Sequence, residues 1–482
     1  MRSGFVHALF IAALLTLPVA PASAQDEPVV AFINATVVDV ERGALLRNQS
    51  ILTSRGRIDH VGPAATTRIP RGATSVDLAG RFVIPGLWDM HVHIAGDAPD
   101  AATLVEYYGS LFLANGVTGV RDAGGDAARL NAMDSIGTSR PGAMPRLIHA
   151  GDKVGPEDGR SWSIDQAQAA ITSRVHAGAK YVKLVPVYPA DLFKQTLGLC
   201  AAAKLQCVAH IPAADTGTWL SAPGRGSYEH LFNLSEHVSR VPATKLFDSY
   251  REYDHPTLLQ RVLYKLRLRH KPEEPTLLRF AVRDTTKDRA FFSRVASSGT
   301  WITPTLVLHH HLTEVVDLPP SAVDSQLVRK PAVKAAPRTP RQQEAAQSWW
   351  NLWTGVVRAM HAASVHMLAG TDFFEQYVPG AVLQAELGLL QQAGMSAAEV
   401  LRTATLNPAR YFGATDSLGS VTAGRVADLV VLRRNPLDDV RHVSEVEMVM
   451  TRGHLLRRRA LDSLTNVARA SVRRLRAQSP AK

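Results

Sequence analysis

Val83-Ile84-Pro85-Gly86-Leu87-Trp88-Asp89-Met90-His91-Val92-His93-Ile94 opens as an apolar run, turns at Pro85-Gly86 and ends in two histidines two residues apart. Residues i and i+2 of a strand face the same side. His91 and His93 would therefore aim both imidazoles into one space, as two ligands of a single metal ion must. A lone His-x-His is short and common, and a strand carrying two ordinary histidines accounts for it too. What separates the two readings is the remainder of the chain, which supplies partners for these histidines strand by strand.

From this stretch onward, strand-like runs alternate with helical ones. The strands are read at Gly116 to Asp122, Pro145 to Ala150, Tyr181 to Val185, Cys207 to His210, Ser227 to Leu231, Thr300 to Leu306 and Val365 to Asp372. Helical spacing of apolar residues lies between them, as in Thr103 to Asn115 and Ile164 to Gly178. Eight strands alternating with helices predict an α/β fold, a (β/α)8 TIM barrel. Short β-rich runs bounded by turn residues precede it (Val29 to Val40, Ser50 to Val61, Thr74 to Leu78) and follow it (Leu418 to Val421, Asp428 to Leu432, Val446 to Leu455). They predict a small discontinuous β-sandwich domain built from both chain ends. The expected division is 1–24 signal peptide, 25–84 and 411–458 small β domain, 85–410 barrel, and 459–482 basic helical tail.

The 482 residues suit a large barrel plus a smaller domain, and 46% hydrophobic with 20% charged residues is the balance of a globular protein. Arg2, the apolar run Ala8 to Val19 and the small residues Ala22-Ser23-Ala24 form a secretory signal pattern, so an exported, periplasmic or extracellular protein is expected. No apolar run reaches the ~20 residues of a membrane span, so no integral membrane segment is expected in the mature chain. The formal charge of +11 is concentrated at the end: residues 457–482 carry eight basic residues against Asp462. Basic residues interleaved with aromatics are missing, which argues against a nucleic-acid partner. Leu461, Leu464, Ala468, Val472 and Leu475 instead make a helical stripe that should dock on the protein itself. Cys200 and Cys207 could form a disulfide or remain two buried thiols.

In a closed barrel the strand C-termini converge on one point. His91, His93, Lys183, His210, His230 and Asp372 all fall at such ends. Each alone has an ordinary explanation, such as a core histidine, a snorkelling lysine or a turn-capping aspartate. Six together at the ends of five strands do not.

With these residues in view the sequence resembles the amidohydrolase superfamily, in particular its metal-dependent amidase, prolidase-like and imidazolonepropionase-like branch. The resemblance rests on residues 85–93, Gly116 to Asp122, Gly178 to Lys183, Ala209-His210, Tyr228-Glu229-His230 and Ala369 to Asp372. It continues through Ala404 to Ala409 and Gly424 to Leu429, and so spans nearly the whole mature chain. It implies two divalent metal ions, zinc by preference. His91, His93 and Asp372 would hold one, His210 and His230 the other, and a carboxylated Lys183 would bridge them with a hydroxide. Neutral imidazoles suit zinc. A buried lysine amine near cations is readily neutral, the form a carbamate needs. Asp372 would act as general base and then acid, and Tyr228 or a histidine would help polarise the scissile carbonyl.

These features point to hydrolysis of an amide or peptide bond in a small molecule or short peptide. A lactonase or other ester hydrolase is the alternative on the same site, and a non-catalytic binding barrel the alternative of another class. Ala213 stands where several deaminase branches place a Glu three residues after the strand-five histidine, which disfavours deamination. Glu386 and Asp428 are expected not to be ligands, and His309-His310-His311 is expected on an exposed loop or helix. The insertions Ser239 to Ala290 and His309 to Gln347 are candidate lids over the site. Homo-oligomerisation is left open.

Overall fold

The structure is a computed structural model. It describes residues 29–478 apart from 97, 99, 156–161, 186–189, 211–215, 223–224, 232–233, 235–237, 239–256, 269–282 and 332–337. The signal-peptide reading and much of the Ser239 to Ala290 insertion lie outside the described residues.

The small domain contains β1 (Val30–Asp39), β2 (Ala44–Ser54), β3 (Arg57–Pro63), β4 (Thr74–Asp77) and β5 (Phe82–Pro85). The barrel strands are β6 (Leu87–Val92), β7 (Val117–Asp122), β8 (Arg146–His149), β9 (Val182–Lys183), β10 (Cys207–Ala209), β11 (Arg225–Glu229), β12 (Trp301–Thr303) and β13 (His366–Met367). The chain then returns to the small domain with β14 (Leu429–Leu432), β15 (Val446–Thr451) and β16 (His454–Arg457).

The eight barrel strands are parallel and follow one another in chain order, in arcs of three and five. Backbone hydrogen bonds cross both seams. Lys180 N donates to His149 O and Val154 N to Lys183 O on one side, and Met90 N donates to Ala369 O on the other. The strands so close into the expected ring. Apolar residues that alternate outward, among them Val182, Leu184, Ala209 and Ile302, pack into one large core with the surrounding helices.

The small domain is one connected sheet rather than two separate ones, with strand order β16-β15-β14-β5-β1-β2-β3 and β4 also on β1. It curls back on itself. Ile58 N donates to Arg425 O and Ala427 N to Gly56 O, tying β3 to the segment that leads into β14. Phe32, Val37, Ile51, Ile58, Leu429 and Val431 fill its own core.

Four expected strands differ. The run read as Ser50 to Val61 is a hairpin that turns at Arg55-Gly56, and Val446 to Leu455 turns at Arg452-Gly453; all four residues have positive φ, the geometry of tight two-residue hairpins. Leu418 to Val421 is not a strand. Gly419 sits at φ +86 and breaks it, and Val421 only contributes its side chain to the small core. The strand read as Thr300 to Leu306 stops at Thr303, because Pro304 cannot donate to the ladder and Thr305 is left-handed at φ +51.

A helix at Leu306–Thr313 follows, and Glu386 caps it, accepting from Leu306 N (2.9 Å) and Val307 N (2.7 Å). The histidine run lies in this helix and is not exposed. His309 and His310 are buried, the His309 ring lies 4.7 Å from Trp353, and burial pushes its pKa down to about 3.

The tail is the helix Arg458–Gln478, and Leu461, Ala468, Val472 and Leu475 bury its apolar stripe against the barrel's own helices. No helix among the described residues is long and apolar enough to cross a membrane.

Asp428 joins the two domains. Its carboxylate accepts from Arg146 Nε at the start of β8 (2.6 Å) and from Arg452 N (2.8 Å). Asp428→Asn is expected to destabilise the fold by about 2 kcal/mol, the scale of a hydrogen bond to a charged group. Metal content should not change; metal loss from a still-folded variant would contradict this structural role.

Candidate metal centre

The site is built at the C-terminal ends of the barrel strands, where the (β/α)8 fold holds its chemistry. On β6, Asp89 and His91 share the inner face, and His93 continues it beyond the strand. Asp89 fixes the mouth. Its Oδ1 accepts from His91 N (3.2 Å) and Thr371 N (3.1 Å), and its Oδ2 from Thr371 Oγ1 (2.7 Å). Burial pushes the Asp89 carboxyl up to about 7. The turn after β13 thereby lies directly against β6. A Cβ on Gly370 would fall 2.8 Å from His91 N, so only glycine fits there.

Asp372 follows in the left-handed region (φ +44), with its N–H donating to His91 O at 2.8 Å. His230 (φ +66) and Thr305 (φ +51) adopt the same unusual backbone at the ends of neighbouring strands. Such conformations cost about 1–3 kcal/mol each and concentrate at functional sites. Here they turn side chains into the mouth.

The histidine tautomers follow from the hydrogen bonds. His91 Nδ1 donates to Glu229 Oε2 (2.5 Å), and His93 Nδ1 to Gly124 O (2.8 Å). Thr305 Oγ1 uses its own hydrogen on Pro304 O (2.8 Å), so it accepts from His230 Nδ1, also at 2.8 Å. All three rings therefore present an Nε2 lone pair.

These lone pairs converge on one carboxylate. His91 Nε2 lies 3.8 Å and His93 Nε2 3.5 Å from Asp372 Oδ1, and His230 Nε2 lies 3.5 Å from Oδ2. His91, His230 and Asp372 together could hold a metal ion. The His210 ring lies 4.5 Å from that of His230. Burial holds His91, His210 and His230 well below the usual histidine range, so these rings are neutral near pH 7. Neutral nitrogens crowded against a carboxylate repel unless a cation sits between them. Among the described residues, buried His91 Nε2 has no hydrogen-bond partner. The donor set fits a divalent metal ion.

Lys183 is 1% exposed on the inner face of β9, and its buried Nζ has no hydrogen-bond partner among the described residues. Burial lowers its pKa to about 8, against the opposing charges of Glu229 and Asp372. Asp372 is raised by its own burial, with Lys183 pulling the other way.

Beneath the rings lies a polar layer to which the sequence reading gave no role. Arg121 is fully buried. It donates to Met90 O (2.6 Å), Ser227 Oγ (2.7 Å) and Glu229 Oε1 (2.7 Å), between the rings of Tyr181 and Tyr411. Burial alone would raise Glu229, yet the charges of Arg121 and Lys183 hold it below its usual value. Glu229 is thus an anion clamped between Arg121 and His91. Partners of this kind set the orientation and basicity of a metal-binding histidine. Glu229→Gln is expected to weaken metal affinity about 10- to 100-fold in a chelator-buffered titration. An unchanged affinity would remove Glu229 from this role.

Tyr228 is a correction. It pairs with Ile302 and joins the core between strands and helices, facing away from the mouth. Its neighbours Ser227 and Glu229 hold the inner face. Tyr228 is not placed to polarise a substrate carbonyl.

Comparisons with known proteins agree with this architecture. The solved structure of a putative prolidase from Bifidobacterium longum superposes with a TM-score of 0.62 at 22% identity, covering 92% of this chain and 99% of that one. A Xaa-Pro dipeptidase with bound methionine gives 0.63 at 17% identity, over 89% and 100%. Curated relatives match over short segments. The imidazolonepropionase of Thermoplasma acidophilum is 35% identical over 79 residues, 16% of this chain and 19% of its own length. An adenine deaminase of Rubrobacter xylanophilus is 28% identical over 169 residues, 31% of this chain and 28% of its own length. This chain therefore matches well under a third of those proteins' length. The match to the Amidohydrolase family, in contrast, runs from residue 82 to 456, through both the barrel and the strands that complete the small domain. The chain belongs to the amidohydrolase family.

Proposed function

We propose that this protein is an exported, metal-dependent hydrolase that cleaves an amide or peptide bond in a small N-acyl amino acid, dipeptide or related compound. The observation that carries this reading is the convergence of three imidazole lone pairs on Asp372 beside a buried Lys183 whose Nζ has no hydrogen-bond partner among the described residues. His91, His93 and Asp372 would hold one divalent ion and His210 and His230 a second, zinc by ligand type, with carboxylated Lys183 between them. Such ions, when bound, make water acidic enough to deprotonate near neutral pH.

The remaining steps belong to the protein. Asp372, raised by burial and set at the mouth by its left-handed backbone, takes a proton from the attacking water and returns it to the leaving amine. Glu229 and Thr305 hold the His91 and His230 tautomers fixed throughout. Arg121 keeps Glu229 charged and in place. Ala213 offers no carboxylate for deaminase proton transfer, and deamination is not proposed.

Export is supported by the signal pattern and by the disulfide between Cys200 and Cys207, which favours an oxidising compartment. The deciding experiment is a screen of N-acyl amino acids, dipeptides and lactones against metal-loaded protein. Hydrolysis of amide substrates that stops on chelation supports the proposal. Turnover of lactones alone would replace it with ester hydrolysis, and turnover of none would overturn it.

A further inference from the structure

Beyond β8 the chain runs through Ala150, Gly151 and Asp152 to Lys153. The next residue, Val154, is held in register beside β9. It pairs in parallel with Leu184, its N–H donates to Lys183 O (2.8 Å), and Val185 N donates to Val154 O (3.1 Å). Val154 and Leu184 both pack outward into the core. Successive residues of an extended chain face opposite sides, so Lys153 stands on the inner side, level with Lys183.

The stem of Lys153 crosses Gly124. A Cβ on Gly124 would lie 2.8 Å from Lys153 Cγ, 3.1 Å from Cε and 3.5 Å from Cδ. The same glycine supplies the carbonyl that accepts from His93 Nδ1. The lysine is thus laid over the residue that holds one of the convergent rings. Burial dominates the titration of His93, Asp122, Lys183, His210 and Asp372, and the charge of Lys153 acts on every one of them. Lys153 is exposed where Lys183 is buried, so its ammonium is open to an incoming molecule. The acids beside it are engaged elsewhere. Asp152 pairs with Arg174 (3.6 Å), and the buried Asp122 accepts from Ile94 N (2.7 Å) and Gly124 N (3.0 Å). Lys153 has no ion-pair partner among the described residues.

We propose that Lys153 is a specificity-determining residue whose ammonium binds a free carboxylate on the leaving-amine side of the substrate. The inference rests on the amide-hydrolase reading. In an acylated amino acid the α-carboxyl carbon is two bonds from the scissile nitrogen. A cation that binds it must therefore stand beside the attacked carbonyl, at the rim of the metal centre. Lys153 meets that condition, being laid against the loop that holds His93, with its charge reaching Asp372. A charge-assisted hydrogen bond from the ammonium would fix the leaving group and select acids over neutral amides.

The test uses the metal-loaded full chain with N-acetyl-L-amino acids and their C-terminal amides. Wild type should favour the acid of each pair. In Lys153→Met the acid-over-amide ratio of kcat/KM should fall at least ~10-fold, mainly through KM, as loss of a hydrogen bond between charged groups implies. Lys153→Arg should keep the preference. Calorimetric titration with the free amino acid and its amide needs no turnover, and acid binding should weaken by a similar factor in Lys153→Met. Hydrolysis of neither member of any pair by wild type would defeat the amide-hydrolase reading, and the titration would still decide the role of Lys153. Equal losses for acid and amide, or acid binding unchanged in Lys153→Met, overturns the proposal.

Discussion

Lys183→Ala is expected to strip metal from the protein and abolish hydrolysis, and a short carboxylic acid supplied in solution is expected to restore part of both. Tyr181 and Lys183 lie on the inner face of β9, with Tyr181 Oη bonded to Asp122 O, while Val182 and Leu184 pack outward into the core. Lys183 Nζ is therefore held in the mouth, fully buried, with no hydrogen-bond partner among the described residues. An ammonium there would face metal cations in a poorly solvated site, a repulsion of several kcal/mol even at an effective dielectric of about 20. A pKa near 8 keeps the neutral amine accessible, and carboxylation converts it to a bridging anion. Alanine removes that anion but leaves space for a small carboxylate. If Lys183→Ala keeps its metal and its activity, Lys183 is a structural residue and the two-metal assignment falls to a single-metal site.

Asp372→Asn is the second large effect. The amide keeps the shape and one oxygen for the metal, so the fold and much of the metal should remain. The proton acceptor is lost, and kcat should fall at least ~10²-fold, the scale of losing a general base. The split between retained metal and lost turnover is the informative readout. Near-normal kcat would take Asp372 out of proton transfer.

The barrel and the inward positions of His91, His93 and Lys183 were legible because strand alternation and residue type agree along β6 and β9. At β6 the same parity carries Asp89, His91 and His93, and at β9 it separates Tyr181 and Lys183 from the outward valine and leucine. Legibility fails where the backbone leaves the β region. His230 has φ +66, so counting back by two from it lands on Tyr228, which faces the core, and passes over Glu229, which faces the site. An acidic residue inside an otherwise apolar strand was the available signal for Glu229, and Arg121 on β7 carried the matching one. The hairpin turns were missed for a related reason. Arg55-Gly56 and Arg452-Gly453 place arginine where Asn or Asp is the usual turn residue. The burial of His309 depends on the Trp353 ring, which comes from a helix more than forty residues away in sequence, and no local pattern reports that contact.

The central claim is that the convergent imidazoles and Asp372 are a metal centre. It is tested most directly by anomalous diffraction from crystals of the metal-loaded protein. Anomalous peaks are expected about 2.0–2.2 Å from the Nε2 atoms of His91, His93 and His230, with density beyond Lys183 Nζ for a carbamate. A fully active enzyme without metal at these residues would contradict it, as would an unmodified Lys183 amine more than about 5 Å from any ion.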